Sequence, residues 1–363
     1  MKAIQYYSNE DVRVIEVPRP SAGPGELLVR VAACGVCASD VMEWYMRPRA
    51  PLFIGHEPVG TVTEVGGIPT PALSEVEGDG GAGVAGFAPG DRVFVHHHVP
   101  CLECHHCRRG HQTLCATFKR TRLDPAGMAE YMRVPAEQVA LDVLKLPDSM
   151  SFAHATLIEP VGCCVRALDR AEIAAGDSVA IIGAGFNGLV IAALARRWGA
   201  AQVFVADRIA SRLELARAFG VDATFNVDAG DTAAALRAAN DGRLADVVIV
   251  AVGKLPALRL SIDVAGPGAT VMLYGPSDPE TVLDLAPNRL FFEEITLRAS
   301  YSCGPGETRR TLDLLAAGAL DADRLITHRF PIDQAAQALR ITANPGLGLK
   351  TLVVMEEELK IEN

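Results

Sequence analysis

Residues 178–195, SVAIIGAGFNGLVIAALA, restrict the fold more than any other stretch of this chain. The run is uncharged and close to the length of a membrane span, but Gly183, Gly185, Asn187 and Gly188 interrupt its middle. A strand, a tight turn and a helix fit it better. The turn, GAGFNG, has G-x-G-x-x-G spacing. Its first glycine makes the turn, the second lets a pyrophosphate approach the backbone, and the third lets helix pack on strand. Phe186 and Asn187 sit inside the turn, at the helix N-terminus that would meet the anion. About twenty residues on, the strand QVFVA ends at Asp207, whose carboxylate can accept from ribose hydroxyls and repel a 2′-phosphate. NAD is therefore expected rather than NADP. Arg208 and Arg212 pull the other way, since a guanidinium can bind a phosphate.

The glycine turn opens one of two textures in the chain. From about 178, SVAIIG, AQVFVAD, ADVVIVAVG, ATVMLYG and ITLRAS alternate with Ala- and Leu-rich helical runs such as SRLELARAFG, which predicts a parallel α/β sheet. Before 150, short runs (KAIQYY, DVRVIEVP, ELLVRVAACGV, PVGTVTEVG, DRVFVHH, AEYMRVP) separated by Gly and Pro predict an antiparallel, barrel-like β domain. The tail after 310 is mixed and can rejoin the first domain. A length of 363 residues fits two domains. The net charge of −10, without a long basic run, argues against nucleic acid or an anionic membrane as partner. MKAIQYYSNEDVRVIEV has no apolar core of a leader peptide, so a cytoplasmic location is expected. Residues 68–86, rich in Gly, Pro and acid, read as a mobile surface loop.

Nine cysteines without a secretory signal point to thiols or metal ligands rather than disulfides. Four of them, Cys101, Cys104, Cys107 and Cys115, are spaced C-x2-C-x2-C-x7-C. That spacing sets four thiolates around one tetrahedral zinc in a single loop, and a closed sulfur shell makes the site structural. A redox reading as a C-x-x-C pair leaves two cysteines idle. The six neighbouring histidines, including His96, His97 and His98, are not needed there; one of the latter three could face an active cleft.

A second set has a different character. CGVCASD offers Cys37, GHEPVG offers His56 and Glu57, and LIEPVGCC offers Glu159. A thiolate, an imidazole and a carboxylate suit a zinc ion with an open fourth position. Such an ion lowers the pKa of an alcohol oxygen, as hydride loss from the carbinol carbon requires. Ser39, two residues past Cys37, could carry the proton away. Cys163 and Cys164 read as a buried helix start.

Together these motifs, in this order with GDRV and the four-cysteine lobe, resemble the zinc-dependent medium-chain alcohol dehydrogenases over nearly the whole chain. HHHVPCLECHHC, GMAEYMRVP and LIEPVGCC look closest to the sorbitol or L-iditol 2-dehydrogenase branch. The resemblance implies an α/β protein, with a GroES-like β-barrel catalytic domain at 1–157 and 298–363 and its structural zinc lobe at about 96–116. It places a Rossmann NAD-binding domain, a doubly wound parallel sheet, at 158–297, with the cleft between the two. It further implies NAD and two zinc ions per chain. Cys37 and His56 would hold the catalytic one, and Glu57 and Glu159 would be exchangeable partners. The nicotinamide would lie near Val252, Gly253, Tyr274 and Ser300. Many relatives carry a relay histidine five residues past the catalytic cysteine. Here Met42 stands there, so water or Glu43 would continue the relay.

The expected activity is oxidation of a secondary alcohol or polyol by NAD, in a dimer or tetramer. Threonine-dehydrogenase-like oxidation of an amino alcohol is the neighbouring alternative. A non-catalytic dinucleotide-binding scaffold with two zinc staples is the alternative from another class. Trp44, Phe118 and Phe291 are the expected pocket-lining residues.

Overall fold

The computed structural model describes residues 1–67 and 86–355. The segment read as a surface loop therefore lies, but for Gly86, outside the described residues. The chain divides into two compact units, Met1–Pro160 with Gly304–Asn363, and Val161–Cys303.

The first unit begins with β1 (Lys2–Ser8), β2 (Asp11–Glu16), β3 (Leu27–Val36), β4 (Leu52–Phe53), β5 (Glu57–Val65), β6 (Arg92–Val95), β7 (Tyr131–Val134) and β8 (Val143–Lys145). β2, β1 and β4 form a small antiparallel sheet. β3 is the spine of the larger one, pairing antiparallel with β5 and with β7. Its sequence, LLVRVAACGV, is apolar almost without alternation because nearly every position is buried. β2 keeps the polar alternation of an exposed strand. Tyr6, Leu27, Val29, Met128 and Met132 form the centre of this unit's core.

The second unit contains β9 (Ser178–Ile182), β10 (Gln202–Asp207), β11 (Ala223–Asn226), β12 (Ala245–Val250), β13 (Ala265–Leu273) and β14 (Thr296–Ala299). All pair in parallel, in the order β11-β10-β9-β12-β13-β14. The order reverses between β9 and β12, and a crevice at the carboxyl ends of those strands is where such sheets bind ligands. The glycine turn follows β9 directly. Helix Phe186–Ala195 then packs Leu189, Val190 and Leu194 into the interior.

After Gly304 the chain returns to the first unit with β15 (Ile326–Pro331) and β16 (Lys350–Val354). β16 lies antiparallel to the end of β3, with Thr351 opposite Val36 and Val354 opposite Ala33. Helix Ala335–Ala343 buries Ala335, Ala338 and Leu339 against the same core. Among the described residues no helix is long and apolar enough to cross a membrane.

Leu339 tests this tail packing. Leu339→Ala should cost about 2–5 kcal/mol in a urea titration, as expected for a buried leucine in a rigid core. A loss below about 1 kcal/mol, the size of a surface change, would mean that the helix does not pack there.

Candidate active site and metal centres

The cysteine lobe is built locally. Sγ of Cys104 lies 3.5 Å from that of Cys107, and Sγ of Cys115 lies 3.5 Å from that of Cys101. All four are free thiols, and their sulfurs converge within 4.8 Å of one another. Sulfurs at contact distance without a bond suit four ligands around one ion of Zn–S distance about 2.3 Å. Burial pushes the Cys115 thiol up, but the N–H groups of Cys101, Phe118 and Thr117 more than offset this and bring it to about 6, whereas burial and the hydrogen bonds with Cys104 and Cys115 push the Cys107 thiol up to about 12. Phe118, expected in a pocket wall, instead packs against these cysteines at 1% exposure. Phe291 is 75% exposed on helix Pro287–Phe292, and Trp44 is half-buried beside Tyr45.

The second set depends on β3 and β5. Cys37 follows the last residue of β3, His56 precedes the first of β5, and the register sets Gly35 opposite Glu57. The Cys37, His56 and Glu57 ligand atoms lie within 4.8 Å of one another. Gly35 is needed there, because a Cβ at that position would overlap Oε2 of Glu57 at 1.8 Å. Asp40 locks the cluster. Its Oδ2 accepts from the Cys37 N–H at 3.0 Å, and its Oδ1 lies 3.3 Å from Nδ1 of His56. A carboxylate on Nδ1 keeps the proton there and leaves Nε2 as the ligand atom. Burial works against a proton on His56, but Asp40 and then Cys37 overcome it and hold its pKa well above the usual histidine range. Ser39, half-buried on the turn after Cys37, directs its N–H to the Cys37 sulfur at 3.5 Å.

Glu57 has a partner that the sequence did not reveal. Nζ of Lys350, from β16, lies 2.6 Å from Oε1 and 2.5 Å from Oε2 of Glu57, and also donates to the Val36 carbonyl at 3.2 Å. Burial acts to lower the Lys350 pKa, but the Glu57 carboxylate outweighs it and holds the ammonium above its ordinary value. The only signal in the sequence is a lone lysine at the head of an apolar strand.

Glu159, in the first turn of helix Ile158–Ala171, was expected beside Cys37 and His56. The structure groups its carboxylate with His96 and His97, again within 4.8 Å, and near enough to act on both Glu57 and Lys350. His96 is fully buried, with Nδ1 2.8 Å from Oδ2 of Asp142, and Thr308 donates to Oδ1 of the same carboxylate at 2.7 Å. The His97 ring lies 4.9 Å from that of His56 and 4.1 Å from that of His98, centroid to centroid. Burial first, and then the charges of His98, His56, His96 and Arg122, hold His97 well below the usual histidine pKa.

In the second unit, Gly183 has φ +107°, which only glycine adopts without strain, and a Cβ on Gly188 would stand 1.8 Å from the Gly183 carbonyl oxygen. A Cβ on Gly185 would meet only Nη1 of Arg212, at 3.6 Å, so the middle of the loop is open on its outer side. Phe186 and Asn187 begin the helix whose N-cap is Gly185. Asp207 ends β10. Its Oδ2 accepts from the Ala184 N–H at 2.6 Å and its Oδ1 from the Ile209 N–H at 2.8 Å, which ties the glycine loop to the adjacent strand. Arg212 is drawn toward this loop, whereas Arg208 is exposed and faces Asp228 at 3.4 Å. Val252 and Gly253 follow β12 at the switch point, and Ser300 follows β14 with its hydroxyl oxygen buried and without a partner. The Tyr274 hydroxyl lies 3.5 Å from Sγ of Cys164.

A closed four-sulfur lobe, a thiolate–imidazole–carboxylate set and a glycine loop at a parallel-sheet switch point define a zinc- and dinucleotide-dependent oxidoreductase. Residues 23–148 match the alcohol dehydrogenase GroES-like domain, and residues 188–317 match the zinc-binding dehydrogenase model. Sorbitol dehydrogenase of Gallus gallus is 31% identical over 97% of this chain and 95% of its own length. A zinc-binding dehydrogenase of Sinorhizobium meliloti 1021 bound to NADP is 30% identical, with a TM-score of 0.83 over 97% of this chain and 98% of that one. An Escherichia coli CFT073 protein described as a short chain alcohol dehydrogenase, complexed with NADH, is 26% identical, with a TM-score of 0.82 over 98% and 99% of the two chains. The chain belongs to the zinc-dependent alcohol and polyol dehydrogenase family of oxidoreductases.

The Lys350–Glu57 pair carries a stability prediction. In metal-free protein, Lys350→Met should lower the unfolding free energy by about 3–5 kcal/mol, because a buried carboxylate is left without its counter-charge. Adding Glu57→Gln should restore most of the loss in the same urea titration. Additive losses would mean the two side chains are not coupled.

Proposed function

We propose that this chain oxidises a secondary hydroxyl of a polyol with NAD. The observation that supports this best is the Cys37–His56–Glu57 set, with Asp40 behind the imidazole and Lys350 behind the carboxylate. Similarity to sorbitol dehydrogenase supports the substrate class. When bound, zinc supplies the Lewis acid that acidifies a hydroxyl, and NAD supplies the hydride acceptor.

The chain's own residues have the following roles. Cys37 and His56 hold the catalytic ion, and Asp40 sets the His56 tautomer that can do so. Glu57 is shared between that ion and Lys350, so the ammonium sets how much carboxylate charge reaches the metal. Glu159 is the second carboxylate in the same field and exchanges with Glu57. Ser39 accepts the proton on a turn open enough to pass it to water. Cys101, Cys104, Cys107 and Cys115 hold a structural zinc. Gly183 makes the turn, Gly185 lets the pyrophosphate approach the start of helix Phe186–Ala195, and Gly188 lets that helix pack closely. Asp207 accepts from the adenosine ribose, with Arg212 beside it. Val252, Gly253, Tyr274 and Ser300 border the nicotinamide. A homo-oligomer belongs to the same proposal: β14 ends its sheet, and Phe291 and Phe292 are both largely exposed.

Two measurements test this reading. NADH production over a panel of polyols, cyclitols and simple secondary alcohols should show turnover, and Cys37→Ala should lower kcat/KM about a thousandfold, the scale of Lewis-acid stabilisation. Full activity of that variant refutes the metal's role. Asp207→Ser should shift the NAD-to-NADP preference toward NADP by about tenfold or more, because it removes a like charge facing the 2′-phosphate. An unchanged coenzyme ratio would remove Asp207 from coenzyme selection.

A further inference from the structure

The three histidines that follow β6 stand in different surroundings. His96 is fixed by Asp142, and Nδ1 of His98 lies 2.6 Å from the Thr121 carbonyl with Arg122 beside it. His97 has a ring nitrogen, Nδ1, that is buried and has no hydrogen-bond partner. Such an atom costs stability unless something completes it, and unpaired buried polar atoms in native proteins call for a specific explanation. The His97 ring lies between those of His56 and His98, tilted 53° and 48° to them, and is therefore held in place. It does not join the Cys37, His56 and Glu57 group but shares one with His96 and Glu159. It thus flanks the metal set without being part of it. An imidazole ring presents two nitrogens, and one without a protein partner is available to hydrogen-bond a hydroxyl.

We propose that His97 binds the hydroxyl adjacent to the reacting one and so selects a vicinal diol or polyol over a simple secondary alcohol. This rests on the polyol reading above. A site built to hydrogen-bond a substrate hydroxyl discriminates against the analogue that lacks it, because its own polar group is left unpaired.

The test compares 2,3-butanediol, as each separate stereoisomer, with 2-butanol, which lacks one hydroxyl. kcat/KM for both would be measured with the wild type, His97→Phe and His97→Gln. Calorimetry of 2,3-butanediol binding to the enzyme–NADH complex and the zinc content of each protein complete the set. The wild type should prefer the diol. His97→Phe should reduce that preference, and the binding of the diol, by about tenfold, the worth of a neutral hydrogen bond. His97→Gln, which can still donate and accept, should recover most of both. Zinc content should not change. A wild type that prefers the diol, with the preference intact in both variants, overturns the role of His97 and leaves the polyol reading standing. A loss of zinc in the variants also overturns it, by making His97 a ligand. A wild type indifferent to the second hydroxyl defeats the polyol reading, and the inference with it.

Discussion

The antiparallel pairing of β3 with β5 is the constraint on which the site depends. It sets Gly35 opposite Glu57 and so brings the residue just past one strand, Cys37, to the residue just before the other, His56. A slip of one residue would turn every side chain of β5 to the opposite face, and the thiolate and imidazole would no longer meet. Gly35, the position of β3 that leaves room for the Glu57 carboxylate, makes that slip costly. The run LLVRVAACGV, unremarkable in itself, thereby holds the geometry of Cys37, His56 and Glu57.

The parts of the protein that could be read from its sequence are those built over short separations. The glycine turn, the strand before it and the helix after it are contiguous. The four cysteines fall within one loop, and Cys37, His56 and Asp207 stand in motifs that announce themselves. Lys350 could not be found this way: its partner is 293 positions away, and a lysine opening an apolar strand gives no hint of where its charge goes. The Asp142–His96 pair was hidden for the same reason. Phe118 failed differently. An aromatic side chain reads alike whether it lines a cavity or fills a core, and Phe118 proved to be packing for the cysteine lobe. β4, β8 and β11, of two to four residues, are too short to show a period.

Asp207 shows how one side chain can serve both folding and chemistry. Both of its oxygens already accept backbone N–H groups, one from the glycine loop and one from the start of the next helical segment. The carboxylate thus orders the loop that would receive pyrophosphate, and in the proposed function its remaining lone pairs would meet a ribose. Changing the coenzyme preference at this position therefore also disturbs the loop.

The position of Lys350 has a consequence for biogenesis. During synthesis β3 and β5 emerge early, but the cation that neutralises Glu57 and the strand that covers the end of β3 come only after the whole second unit. A nascent chain lacking β16 has a carboxylate with nowhere favourable to go and an edge open to mispairing. The first unit can therefore settle only after β16 has emerged, while the second, contiguous in sequence, is free to fold ahead of it.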